Sequence, residues 1–333
     1  MGYTERELKE GRPETETGEK KRIMGKCRLC PRACGADRDK GAVGFCGETA
    51  AVRVARAALH KWEEPCISGR EGSGTVFFTG CTLRCVYCQN HTISGGAVGE
   101  AVSIARLAEI FTELEAQGAN NINLVTPTHF VPQIIRALDL ARGLGLRLPV
   151  IYNTGGYESV ETLRMLEGYV DIYLPDFKYL NREHAKKYSL AEDYPEAAKA
   201  ALAEMVRQTG APEFDGRGMM RRGVIVRHLL LPGCLADAKR IVSYLHTTYG
   251  NRIYLSLMNQ YTPLESLNRE RYPELGRQVS TRAYDRLVDY AIGLGVEQAF
   301  VQEGETAKES FIPPFTLEGV RREEGEKNDE TRD

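Results

Sequence analysis

Three cysteines, Cys81, Cys85 and Cys88, stand together in Gly80-Cys81-Thr82-Leu83-Arg84-Cys85-Val86-Tyr87-Cys88, directly after an apolar stretch that reads as a strand. Thiolates are soft ligands for iron-sulfur clusters or zinc. Three of them on one short loop hold three irons of a cubane and leave the fourth iron open to a substrate. The competing reading is a zinc site completed by His91 or His129, although zinc more often takes paired Cys-x2-Cys knuckles than an x3/x2 triplet. Four further thiols, Cys27, Cys30, Cys34 and Cys46, suffice to close a tetrahedral site. That second site suits either Zn2+ or an auxiliary [4Fe-4S] cluster, and of the two only the cluster relays electrons. Cys66 and Cys234 stand alone and are assigned no role.

The elements that must position these thiols follow from hydrophobic periodicity. From residue 74 onward, apolar strands alternate with amphipathic helices, the pattern of a parallel α/β sheet. Strands are expected at 75–79, 121–126, 149–153, 170–174, 224–230, 253–258 and 298–302, with helices between them such as 103–117 and 281–295. Six or seven such units fall short of the eight of a closed barrel, so the expected fold is an open, partial (β/α)6-type TIM barrel. A doubly wound sheet is the alternative. A small N-terminal cysteine-rich, metal-binding lobe is expected at 23–73, with a strand at 51–58. The barrel then covers 74–310, between charged tails at 1–22 and 311–333. In either fold the active face lies at the C-terminal ends of the strands, where the triplet falls.

The triplet, with Tyr87 before its third cysteine and a strand before its first, resembles the radical SAM superfamily. The stretch from His60 through Ile93, including Glu63-Glu64-Pro65, Gly72-Ser73-Gly74 and Phe77-Phe78-Thr79-Gly80, is similar to the pyruvate formate-lyase activating enzyme-like branch and its uncharacterised relatives. The resemblance implies that the open iron of a [4Fe-4S] cluster on Cys81, Cys85 and Cys88 chelates S-adenosylmethionine. It further implies that the reduced cluster cleaves this cosubstrate to a 5'-deoxyadenosyl radical, with Tyr87 flanking the adenine. By the same resemblance Asp176 and Lys178 position the zwitterionic end of the cosubstrate and Arg227 contacts it. A charged residue within the apolar strand VIVRHLL itself demands a buried anion or a solvent-filled pocket. Asn153, in Asn153-Thr154-Gly155-Gly156, occupies the place of a ribose-contacting turn, or of a plain strand-to-helix turn.

One departure concerns the segment after the second barrel strand. Where the superfamily usually carries Gly-Gly-Glu, this chain reads Val125-Thr126-Pro127-Thr128-His129-Phe130. The hydroxyls of Thr126 and Thr128 are therefore expected to accept from the methionine ammonium. His129 is a proton carrier, an extra ligand, or a helix-start residue in a structural hydrogen bond. Glu303, past the last strand, is a weaker candidate for substrate contact.

Composition bounds the rest. A formal net charge of -2 supplies no basic field, so nucleic acid is not an expected partner. The sequence has no signal-like or membrane-spanning apolar run, so a cytoplasmic protein without a membrane partner is expected, and its cysteines read as ligands in a reducing compartment. The leading expectation is a radical SAM oxidoreductase that activates a glycyl-radical enzyme and draws electrons from a flavodoxin or ferredoxin. Alternatives are a radical SAM enzyme acting on a small molecule or RNA, and a non-catalytic metal-binding adaptor.

Overall fold

The computed structural model describes residues 26–302 and 313–322. Seven strands run parallel and in order: β2 (Ser73–Phe78), β4 (Ile122–Val125), β5 (Val150–Thr154), β6 (Ile172–Pro175), β8 (Met220–Leu229), β9 (Tyr254–Met258) and β10 (Ala299–Val301). Each pairs with the next parallel strand along the chain. A doubly wound sheet would reverse direction at a switch point, so the sequential order excludes that alternative. The short β7 (Glu213–Phe214) pairs antiparallel with β8. At the other edge β1 (Arg53–His60) runs antiparallel to β2 and carries the two-residue β3 (Glu100–Ala101). Among the described residues no pairing joins β10 to β3, and the barrel is open.

The long helices are α3 (Ile104–Ala116), α4 (Val131–Gly143), α7 (Tyr194–Thr209), α8 (Leu235–Tyr249) and α9 (Thr281–Gly293), taking α1 as Pro65–Ser68, α2 as His91–Ser94, α5 as Val160–Met165 and α6 as Arg182–Ser189. Both helices expected from periodicity form, and each begins where a serine caps it. Ser103 accepts from the Arg106 amide at the start of α3, and Ser280 from the Ala283 amide at the start of α9. Alternation along the strands divides the core in two. Val150, Tyr152, Tyr173, Val224 and Val226 face the helices, whereas Ile151, Ile172, Leu174 and Ile225 face inward. Cys66 and Ile67 of α1 pack against that inner set and plug the barrel. The lone Cys66 is thus a core side chain.

Two segments lie otherwise than expected. The stretch 23–73 contributes β1, which pairs with β2 over most of its length, so it belongs in part to the main sheet. Residues 313–322, expected within a charged tail, dock on β1. The Ala57 amide donates to the Glu318 carbonyl at 2.8 Å, the Leu317 amide to the Ala55 carbonyl at 3.1 Å, and Phe315 meets Phe77 edge-on at 5.4 Å. The physical cause is the run Phe315, Leu317 and Val320, which gains apolar contact there that the charged residues around it do not offer.

Candidate functional site

The triplet leaves β2 through Gly80, whose φ of +79° suits glycine, and a Cβ there would stand 2.8 Å from the Cys46 carbonyl oxygen. Every triplet sulfur meets a hydrogen-bonding group. The Leu83 amide donates to Cys81 Sγ at 3.4 Å, Ser189 Oγ lies 3.0 Å from Cys85 Sγ, and the Ser94 side chain bonds Cys88. Burial pushes the Cys81 and Cys88 thiols up, their neighbouring cysteines push further, and Lys178 pulls both down. Free, these are protonated thiols that release protons on taking up metal. Among the described residues no three metal-ligating side chains converge as one ion requires. The site fits a cluster by its donor set: three soft ligands, a hydrogen bond to each sulfur, and the half-buried Lys178 cation facing the negative charge that ionisation creates.

Tyr87 is buried, and its hydroxyl lies 2.6 Å from that of Tyr179, which reaches Ser189 Oγ at 2.8 Å. A chain of hydroxyls therefore runs from Tyr87 to Cys85. Below the triplet the strand ends converge on a cavity of about 470 Å3, lined among others by Glu63, Glu64, Asn153, Arg227, Ser256 and Gln302. Arg227 is its hub. Its guanidinium donates to Asp176 Oδ1 at 3.0 Å, Glu63 Oε2 at 3.2 Å and Asn153 Oδ1 at 2.6 Å. Lys178 Nζ donates to Asp176 Oδ2 at 2.6 Å, and the amides of Asn123 and Asn153 donate to Glu63 Oε1. The buried anion demanded by an arginine within an apolar strand is thus a pair of carboxylates. Burial alone would raise the Asp176 carboxyl, but Lys178 and Arg227 outweigh it and hold it below the usual range.

Asp176, Lys178, Arg227 and Asn153 form one network, with Asn153 turned into the cavity beside Glu63. Thr128 departs from its expectation. It is fully buried and donates to Glu158 Oε1 at 2.7 Å, so no ligand reaches its hydroxyl; Thr126 stays half-buried. Glu158 also accepts from the hydroxyls of Thr154 and Tyr152. Burial without a cation raises its carboxyl to about 7. His129 takes the structural role among its three readings. Its Nε2 donates to the Thr79 carbonyl at 2.6 Å, and burial followed by the Arg38 charge lowers its pKa to about 3. It stays neutral near pH 7 and does not carry protons there. Glu303 lies outside the described residues.

Glu63, Glu64 and Ser189 are site residues, and Glu158 a structural acid beside them, for which the sequence predicted no role. For Glu63 a signal existed in the acidic pair preceding Pro65. For Glu158 and Ser189 none did, since nothing local marks their partners.

Residues 75–215 match the family model of the Radical SAM superfamily. Over these residues the chain is similar to that superfamily. That family supports S-adenosylmethionine-dependent radical chemistry on a [4Fe-4S] cluster, which the triplet is suited to hold. An uncharacterized protein of Methanocaldococcus jannaschii is 26% identical over 281 residues, 81% of this chain and 75% of its own length. Among solved structures, Streptococcus suis SuiB bound to precursor peptide SuiA aligns with a TM-score of 0.45 at 10% identity, covering 68% of this chain and 48% of SuiB. The FeFe-hydrogenase maturase HydG from Carboxydothermus hydrogenoformans aligns at 0.42 and 12%, covering 66% and 56%. Coproporphyrinogen III oxidase (HemN) from Escherichia coli aligns at 0.42 and 11%, covering 64% and 49%. The chain spans about half the length of these solved neighbours. No helix among the described residues is long and apolar enough to cross a membrane.

Proposed function

We propose that this radical SAM domain abstracts hydrogen from a glycine of a partner protein, in the manner of a glycyl-radical-enzyme activase. Cys81, Cys85 and Cys88 would hold the cluster, with Lys178 and Tyr87 beside it. When bound, the reduced cluster supplies the electron that splits S-adenosylmethionine into methionine and a 5'-deoxyadenosyl radical. The chain's own residues bind, orient and exclude water: the Asp176-Lys178-Arg227 network offers fixed charges of both signs to a zwitterionic cosubstrate, and the walls of the cavity enclose the reacting carbon.

The observation that carries the glycine reading is the lining of the cavity. Gln89, Asn90, Asn153, Gln260 and Gln302 give it five carboxamides. Asn153 is engaged with Arg227 and Glu63, and Gln302 with Asn259 and Gln260, so the remaining N–H groups and lone pairs of the lining, on Asn90, Gln89 and Gln260 above all, are what would meet the donor and acceptor that a peptide backbone presents. A small-molecule substrate is favoured instead by the docking of residues 313–322 on β1, which narrows the open side of the barrel.

The test is anaerobic. The reconstituted, reduced protein is given S-adenosylmethionine and assayed for 5'-deoxyadenosine beside a Cys81→Ala, Cys85→Ala, Cys88→Ala variant, then incubated with a glycyl-radical enzyme and examined by electron paramagnetic resonance. Cleavage lost in the variant and a protein-borne glycyl doublet support the proposal. Cleavage without any polypeptide radical removes the activase reading and leaves the small molecule.

A further inference from the structure

We infer that Cys27, Cys30, Cys34 and Cys46 hold a [4Fe-4S] cluster of their own, in direct contact with the triplet loop. Their spacing groups three thiols within eight residues and places the fourth after eleven intervening ones. Zinc knuckles pair their cysteines two and two, whereas three close thiols with one distant is an arrangement of iron-sulfur proteins.

Two structural observations point to a bound anionic group. Arg38 is 4% exposed, yet its guanidinium donates to the carbonyls of Glu48, Thr49 and His129 and to Cys27 Sγ at 4.0 Å. No described carboxylate pairs with it. A buried guanidinium with neutral partners alone is costly, and four thiolates on a cluster supply the missing negative charge. Gly44 provides the room. A Cβ at that position would stand 3.2 Å from Cys46 Sγ and 3.5 Å from Cys34 Sγ, so the bare backbone leaves space beside the sulfurs.

The quartet loop is fastened to the triplet loop. The Cys81 amide donates to the Cys46 carbonyl at 3.1 Å, so one backbone hydrogen bond links a ligand of each site. Arg32 donates to the Thr82 carbonyl at 3.0 Å and the Ser189 carbonyl at 3.1 Å, and Arg84 to the Phe45 carbonyl at 2.7 Å. Arg32 also stacks 4.1 Å over the Phe45 ring. Cys34 is exposed and Cys46 is buried, so the quartet reaches from the surface to the triplet. A flavodoxin- or ferredoxin-type donor docking there gives up one electron, the quartet cluster is reduced by one, and it returns to its oxidised state on passing that electron inward.

The full chain is reconstituted anaerobically with iron and sulfide, and its iron, sulfide and zinc are counted beside two variants. The proposal expects roughly eight irons in the wild type, and roughly four both in the Cys81→Ala, Cys85→Ala, Cys88→Ala variant and in a Cys30→Ala, Cys34→Ala variant. The triplet-free protein should still show the paramagnetic signal of a reduced cubane, a result independent of any radical activity. In the fully reduced wild type the signal should be broader than the sum of the two variants, because the clusters are neighbours. About four irons in the wild type, or zinc in the quartet, overturns the site; an unbroadened sum overturns the contact.

Discussion

Glu63, partly buried, and Glu158, fully buried, are acids that follow strand ends, and they are held in opposite ways. Glu63 receives Arg227 at 3.2 Å and two side-chain amides, beside a cavity. Glu158 receives three hydroxyls, with no cation among its described partners. The ion-paired acid belongs to a network of fixed charges that a ligand can meet. The hydroxyl-bonded acid, raised to about 7, ties the turns after β4 and β5 together. Burial of a carboxyl therefore does not by itself mark chemistry; the charge that compensates it does.

The largest effect should follow from breaking the charged side. Arg227→Ala leaves Glu63 and Asp176 buried without their guanidinium and should cost about 3–5 kcal/mol in denaturant unfolding. Cosubstrate cleavage should disappear with it. An unchanged midpoint would mean that water or Lys178 already neutralises these acids.

The hydroxyl-bonded side should show itself through pH. In the unfolded chain Glu158 ionises near its ordinary 4.5, and in the fold only near 7. Between these values the unfolded chain has released a proton that the folded chain retains. Stability should therefore fall as pH rises through that window, by on the order of 3 kcal/mol, and level off above it. Glu158→Gln should flatten this part of the profile. A slope that persists in the variant assigns the titration elsewhere.

His129 should act in the opposite direction. Its neutral form is held down to about pH 3, so stability should drop as pH falls below its ordinary 6.5, and His129→Gln should reduce that drop. Glu63→Gln keeps the shape and removes the charge. It should cost about 1–3 kcal/mol, chiefly the loss of a charged hydrogen-bond partner for Arg227, and lower cosubstrate cleavage. The smallest change is Thr128→Val, expected to cost about 1 kcal/mol and to move the Glu158 titration further up, because a hydrogen bond to the ionised form is lost. If Thr128→Val abolishes cosubstrate binding while stability is kept, the expectation that this hydroxyl serves the methionine ammonium is restored and the comparison of the two acids fails.

The parallel strands were legible because apolar alternation is a local property. The expected 149–153 and 253–258 match Val150–Thr154 and Tyr254–Met258 closely. The short β3 and β7 were not legible, since two-residue strands exist only where a neighbour pairs with them. Arg227 announced itself as a charge inside an apolar strand, but nothing in the sequence paired it with Asp176 and Glu63.

What the sequence determined by itself is the grouping of its cysteines into a triplet and a quartet, because these thiols lie close along the chain and the softness of sulfur as a ligand does not depend on the fold. Tertiary structure alone decided the rest. Glu63 and Arg227 meet across 164 residues, and Asn153 and Arg227 across 74. Cys46 reaches Cys81 only because one loop folds back over the other. In a parallel barrel, neighbours at the active face come from successive strand ends, each separated from the next by a whole helix. The spacing between partners along the chain is then set by helix lengths, which carry no trace of the charges they bring together.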